Sequence, residues 1–306
     1  RDLTMERYLI PYLRHPYISI YTGRGCPSHC VFCLWPQTFT GHRYRVRSVD
    51  NVVAEVRRSL ELFPQAAEIF FDDDTFTADG ERARQISRAL APLKCTWSAT
   101  ARVTTSYETL KAMKEGGCRL LVAGFETGDP QVLKNIRKGA TLELGRRFAK
   151  WCRELGLQVH GTFMVGLPGE TRESLEASIR FACELDPDTI QVSLATPYPG
   201  TEFYELCLEK GYLQNDSLVN GSTGYQQCVV EYPSLAAAEI FQAVPRFYRR
   251  FYFRPRYIAR ALGVMMRDRE ERKRLLREGR EFLTFMFRRR QAAQSRGASP
   301  TCSPRP

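Results

Sequence analysis

Short runs of β-branched and aromatic residues alternate along the chain with longer stretches whose apolar positions recur every three or four residues, the pattern of parallel strands joined by helices. Six runs read as strands: Tyr17–Tyr21, Glu68–Phe71, Thr96–Ala99, Leu120–Phe125, Val159–Val165 and Thr189–Leu194. Helical periodicity falls near Val49–Leu62, Asp79–Leu90, Tyr107–Glu115, Thr141–Leu155 and Thr171–Leu185. Asp79 and Thr171 are suited to cap their helices, and Glu173 puts negative charge in the first turn after Thr171, where it complements the helix dipole. The repeated alternation predicts an α/β chain whose parallel sheet is wrapped by helices.

The chemistry-bearing residues fall at particular places on this frame. A cysteine loop follows the first strand, Asp72-Asp73-Asp74 the second, Arg102 the third, Glu126 the fourth and Gly166-Leu167-Pro168-Gly169-Glu170 the fifth. In a barrel these loops share the C-terminal end of the strands, the side that carries active sites.

The loop Gly25-Cys26-Pro27-Ser28-His29-Cys30-Val31-Phe32-Cys33 brings three thiols together. Thiolates are the preferred ligands of iron–sulfur clusters, and a four-iron cube takes one from each corner iron. Three ligands leave one iron with an open position for a small molecule. A structural zinc knuckle completed by His29 or His42 is the alternative, since tetrahedral zinc accepts three sulfurs and one nitrogen. Zinc sites more often pair C-x-x-C with a distant second pair, and the agreement of five separate loops favours an active site.

Composition narrows the setting. With 306 residues the chain is long enough for one large α/β barrel domain or two ordinary domains. Hydrophobic residues make up 43%, mean hydropathy is −0.36, and no apolar run approaches the length of a membrane span. Cys95, Cys118, Cys152, Cys183, Cys207, Cys228 and Cys302 show no pairing rhythm, which argues against a disulfide framework and for a reducing, cytoplasmic setting. Net charge is +11 with a pI near 9.3, and arginines concentrate between Phe241 and Arg290, interleaved with aromatics. That interleaving suits an anionic lipid surface, or RNA, or aromatics packed on the barrel beneath solvated arginines. No RNA-binding module is visible, so no nucleic-acid partner is expected.

The cysteine spacing, and the aromatic Phe32 before the last cysteine, resemble the signature of the radical S-adenosylmethionine (SAM) enzymes, and the similarity extends to about Arg290. The resemblance implies a partial (β/α)6 TIM-like barrel with a mainly helical C-terminal extension. It also implies a 4Fe-4S cluster held by Cys26, Cys30 and Cys33, with SAM chelated at the free iron and cleaved to a 5′-deoxyadenosyl radical. Phe32 joins the expected cofactor-binding residues. Asp73 lies in Phe71-Asp72-Asp73-Asp74-Thr75-Phe76, which stands where many relatives carry Gly-Gly-Glu against the SAM amino group. Arg102 is expected at the methionyl carboxylate, Glu126 near the ribose, and Gly161 and Gly166 where backbone approaches adenine. As residues alone, the aspartates also fit a helix-capping turn, Arg102 and Glu126 a buried ion pair, and either glycine a bend.

Within that superfamily, Tyr21–Cys26, Cys33–Thr38, Gly41–Arg45, Phe71–Thr77, His160–Phe163 and Arg249–Arg256 look like the HpnJ group of hopanoid-biosynthesis-associated proteins, in the cobalamin-associated branch. The similarity implies a hopanoid lipid substrate, whose amino-sugar head is contracted to a cyclitol ether, and an electron donor such as flavodoxin or ferredoxin. A radical suits that task, because a saturated, hydroxylated ring offers no proton acidic enough for a side-chain base. A radical SAM methyltransferase or methylthiotransferase is the alternative within the class; a zinc-stabilised basic nucleic-acid-binding module is the alternative outside it. The chain opens on Arg1, so residues 1–15 are expected to be a linker from a missing N-terminal domain, with cobalamin bound there if it is used. The barrel is expected over 16–205, the helical extension over 206–290 and a disordered tail over 291–306. His42, Arg43, Tyr44 and Arg45 suit either a polyol or donor contact or a solvated hairpin. A cytoplasmic enzyme, peripheral at the inner membrane face, completes the expectation.

Overall fold

Glu68-Ile69-Phe70-Phe71 is buried at every position, as a strand covered on both faces must be. In the computed structural model, which describes residues 5–36, 38, 41–214 and 227–267 and separate positions between 269 and 284, it is one of six parallel strands. The chain runs from β1 (Tyr17–Ile20) through the short antiparallel pair β2 (Gly23–Arg24) and β3 (Arg45–Val46) to α1 (Val49–Leu62) and β4 (Glu68–Phe71). It continues through α2 (Gly80–Leu90), β5 (Trp97–Ala101), α3 (Tyr107–Glu115) and β6 (Cys118–Glu126) to α4 (Pro130–Asn135), α5 (Leu142–Glu154) and β7 (Gln158–Val165). Then follow α6 (Arg172–Leu185), β8 (Thr189–Leu194), α7 (Glu202–Lys210), α8 (Ala237–Tyr252) and α9 (Pro255–Arg267). Sheet order is β1-β4-β5-β6-β7-β8, all parallel, so each crossover advances by one strand and the sheet forms the expected partial barrel.

The six expected strands and five expected helices are all present. Asp79, Thr141 and Thr171 each accept hydrogen bonds from first-turn backbone N–H groups of α2, α5 and α6. Helix α4 was not anticipated. Its signal was Asp129-Pro130: the Asp129 carboxylate takes the N–H groups of Gln131 and Val132, and Pro130 occupies the first turn, where no N–H is needed.

Two devices finish the partial barrel. At the N-terminal end of the strands, the Glu68 carboxylate is fully buried and receives the Arg119 guanidinium through two bonds of 2.8 and 3.0 Å and the Arg14 N–H at 2.6 Å. Arg119 also donates to the Tyr12 carbonyl, so residues 12–14 are tied beneath the sheet. At the β8 edge, the Tyr252 and Tyr248 hydroxyls accept from the Ile190 and Val192 N–H groups, so side chains of α8 satisfy edge donors that a seventh strand would otherwise take. Phe247 and Phe251 of the same helix are fully buried, so the aromatics here serve packing. No helix among the described residues is long and apolar enough to cross a membrane. The expected contributions of Phe282, Phe285, Phe287, Arg288, Arg289, Arg290 and the 291–306 tail lie outside the described residues.

Candidate active site

The cysteine loop leaves β1 at the C-terminal end of the sheet and is held from several sides. Gly25 has φ +98°, a conformation natural to glycine, and its N–H donates to Asp74 Oδ2 at 2.5 Å. Val31 donates to the Ile136 carbonyl after α4 and accepts from Phe203 N in α7. Cys33 N–H returns to the Cys30 carbonyl at 3.1 Å, which folds the C-x-x-C segment into a turn. Phe32 packs against the core beneath the loop.

All three thiols are free. Burial raises the Cys30 thiol, opposed by the Lys138 ammonium, and pushes Cys33 up to about 11. Thiols of this kind lose their protons on binding a metal. No three His, Cys, Asp or Glu side chains among the described residues converge on a single metal ion. An iron–sulfur cube asks for something different: each thiolate takes its own iron. Three thiols on one loop, with Cys30 and Cys33 joined through a backbone turn, fit that donor set. His29 and His42, the expected alternative ligands for zinc, stack on each other at 3.8 Å, and His42 spends Nδ1 on the Ser28 carbonyl at 2.9 Å.

Beside the cysteine loop the structure assembles charges from two strand ends and from the segment between α4 and α5. Arg102, after β5, donates to Ser28 Oγ within the loop and reaches the Lys138 carbonyl at 3.4 Å. Glu126, last residue of β6, has φ +65° and forms a buried ion pair with Lys138. Burial opposes the Lys138 charge, yet Glu126 and Cys30 together hold its pKa above the usual lysine value. A methyl group at Gly124 would overlap the Glu126 carboxylate and the Lys138 ammonium, so that glycine makes room for the pair. Lys138 and Gly124 escaped the sequence reading; the clue was a lysine followed by Gly139 in a short segment between two helices, too weak a pattern without the fold.

The aspartate run divides its labour. Asp73, expected at the SAM amino group, turns inward: its oxygens take Thr22 N and Thr22 Oγ1, each at 2.6 Å, and the Tyr44 hydroxyl at 3.3 Å. Arg82 joins this buried set through Thr22 and the Arg47 carbonyl. Asp73 thus braces the strand that launches the cysteine loop, while Asp74 holds the loop itself and Thr75 Oγ1 lies 3.5 Å from Cys26 Sγ. Tyr44 belongs to this brace, and His42, Arg43 and Arg45 are exposed beside it.

The two glycines differ. A side chain at Gly161 would meet Pro187, Phe125 and Phe163, all protein atoms of the packed interior. Gly166 has φ +85°; its carbonyl accepts from the Tyr232 hydroxyl at 2.9 Å and its N–H donates to Glu170. Glu170 is 1% exposed, its Oε1 has no hydrogen-bond partner among the described residues, and burial raises its pKa to about 8. The folded state therefore keeps a proton that the unfolded chain releases, and stability is fullest below the unfolded carboxylate value and falls as pH rises toward 8. Between pH 6 and 8 the protein is expected to lose about 1–2 kcal/mol more stability than Glu170→Gln in urea denaturation. Parallel curves would show a carboxyl already ionised in the folded state.

Comparison with known proteins shows the family. The family model for the radical SAM superfamily matches residues 20–182. The chain is 37% identical over 246 residues to an uncharacterized methyltransferase of Pyrococcus horikoshii, covering 79% of this chain and 53% of that protein. It is 31% identical over 193 residues to the hopanoid C-3 methylase of Methylococcus capsulatus, covering 61% of this chain and 36% of the other. It therefore spans about half or less of the length of these relatives. Among solved structures, the radical SAM methyltransferase TsrM from Kitasatospora setae, with cobalamin and a 4Fe-4S cluster bound, superposes with a TM-score of 0.59 at 21% identity, covering 78% of this chain and 47% of that one. A six-stranded partial barrel, a three-cysteine loop at its mouth and a family match over more than half the chain lead to one conclusion: this chain belongs to the radical SAM superfamily.

Proposed function

We propose that the chain is the radical-generating part of an enzyme that acts on the polyol or amino-sugar head group of a hopanoid lipid, contracting the ring to a cyclitol ether. The observation that carries the radical chemistry is the gathering of Cys30, Arg102, Glu126 and Lys138 at one barrel mouth, although 108 residues separate Cys30 from Lys138. When bound, a 4Fe-4S cluster and SAM supply one-electron cleavage to a 5′-deoxyadenosyl radical that abstracts hydrogen from unactivated carbon. Cys26, Cys30 and Cys33 would hold the cluster. Arg102 offers a planar fork suited to the methionyl carboxylate, and Glu126 an acceptor for ribose hydroxyls. Lys138 holds the Glu126 carboxylate in place until such a ligand arrives. The barrel itself orients the substrate and excludes water.

The hopanoid assignment rests on the segment resemblances and on similarity to a hopanoid methylase. Methyl transfer to an unactivated carbon is the second reading, favoured by the methyltransferase names of the relatives, and cobalamin on a further domain would then carry the methyl group. In either case a flavodoxin or ferredoxin supplies the electron, in the cytoplasm, with the enzyme peripheral at the inner membrane face.

The test is anaerobic reconstitution with iron and sulfide, then reductant, SAM and an amino-sugar hopanoid, followed by mass analysis of nucleoside and lipid. Hopanoid-stimulated 5′-deoxyadenosine release with a rearranged, unmethylated head group is the expected result. A lipid heavier by one methyl group would replace ring contraction with the second reading; deoxyadenosine release indifferent to the hopanoid would remove this substrate.

A further inference from the structure

Helix α9 meets the protein through Tyr257 and Arg260, with Arg254 just before it; the Arg256 side chain reaches the same carboxylate while staying 77% exposed. Asp186, at the C-terminal cap of α6 with φ +49° and its side chain only 4% exposed, receives Arg254 at 2.7 Å, Arg260 at 2.9 Å and Arg256 at 3.5 Å. Arg260 also donates to the Pro187 carbonyl and Arg254 to the Cys183 carbonyl. Arg260, on Asp186 and the Pro187 carbonyl, and the Tyr257 hydroxyl, which donates to the Asp188 carbonyl at 3.2 Å, fix the roll of the helix. Positions four residues apart lie on one face of a helix, and the face opposite Arg256 and Arg260 carries Ile258, Leu262 and Met266, which are 43%, 53% and 82% exposed. A surface helix normally buries such a stripe.

Charge identifies what the stripe meets. From 254 to 290 the sequence holds thirteen Arg or Lys against five Asp or Glu. Beyond α9 the described positions between 269 and 284 are helical, and Arg269, Arg272, Arg277 and Arg280 are exposed there beside Leu276, itself 59% exposed. An outward aliphatic stripe followed by cationic helical positions is suited to the interface of an anionic bilayer: the apolar side chains enter the acyl boundary and the arginines meet headgroup charge. We infer that α9 is a membrane-surface helix that seats the barrel on anionic lipid through Ile258, Leu262 and Met266. The inference names the partner that a lipid-borne substrate requires, and so rests on that reading for its purpose, though not for its geometry. It also revises the expected contact: the aromatics of α8 pack inward, and the lipid-facing surface is aliphatic.

Vesicle sedimentation tests it, with phosphatidylglycerol/phosphatidylcholine vesicles, phosphatidylcholine vesicles and no hopanoid in either. The chain is expected to sediment with the anionic vesicles and at least about tenfold less with the neutral ones, with binding falling as salt rises. Leu262→Asp and Met266→Asp are each expected to lower anionic-vesicle binding about tenfold. Both positions are exposed, so thermal unfolding and vesicle-free deoxyadenosine release should stay at the level of the unsubstituted chain. Equal binding to both vesicle types, or none, overturns the inference. So does a concentration-dependent dimer that Leu262→Asp dissociates, since a second copy would then cover the stripe. Because no hopanoid is present, vesicle binding stands or falls separately from the substrate.

Discussion

Replacing Cys30 by alanine is expected to abolish SAM cleavage, lowering reductant-dependent 5′-deoxyadenosine release at least about 100-fold, because a cluster denied one of three thiolates is not retained. Cys30 lies between the other two cysteines, its thiol is acted on by Lys138, Glu126 and Arg102, and its backbone carbonyl anchors the turn to Cys33. The carbonyl survives substitution, so the apo fold should be little disturbed. Iron and sulfide content after reconstitution, the visible absorbance of the cluster and nucleoside release should fall together, while far-ultraviolet circular dichroism stays unchanged. Retained iron with full release would remove the cysteine loop from the active site. Loss of iron together with loss of the folded signal would make the loop structural.

Lys138→Met should produce the second large effect. Lys138 and Glu126 form an ion pair in which the carboxylate side chain is 8% exposed and the ammonium-bearing side chain 20%. Removing one partner of a buried pair leaves an uncompensated charge and typically costs about 3–5 kcal/mol. Methionine keeps most of the volume, so lost packing contributes little. The decisive comparison is Lys138→Met with Glu126→Gln. If the cost arises from the stranded carboxylate, the double variant should recover more than half of the stability lost by Lys138→Met, measured by chemical denaturation of the apo chain. Additive losses would mean that Lys138 acts through packing or through Arg102. The double variant is nonetheless expected to bind SAM weakly, because it lacks the charged acceptor, and equilibrium binding of SAM separates that loss from stability.

Much of the architecture was legible because strand and helix patterns are local. Burial on both faces of a parallel strand writes an unbroken apolar run such as Ile69–Phe71, and caps such as Asp79 and Thr171 announce helices within four residues. The short helix α4 was passed over because six residues carry too little periodicity, although its Asp-Pro start was present. In the aspartate run, the sequence placed all three carboxylates at a strand end but could not assign their directions. Asp73 points into the fold because Thr22 and Tyr44 offer three donors there, and those residues come from 51 and 29 positions away.

Residue order determined the six-stranded frame, the strand end on which chemistry collects, and the thiol donor set, because each depends on side-chain type and short-range spacing. Long-range geometry decided the rest. The pairing of Lys138 with Glu126 depends on how a loop returns over the end of β6. The inward brace of Asp73 and the packing of Gly161 depend on neighbouring strands. The outward turn of the aliphatic stripe on α9 depends on Asp186, a carboxylate about 70 residues earlier, claiming the arginines. Periodicity reports that a helix has two faces; which face turns to the protein is set by the free energy of its contacts, and here the buried Asp186 carboxylate binds Arg260, while Tyr257 packs on the core, and together they hold that side inward.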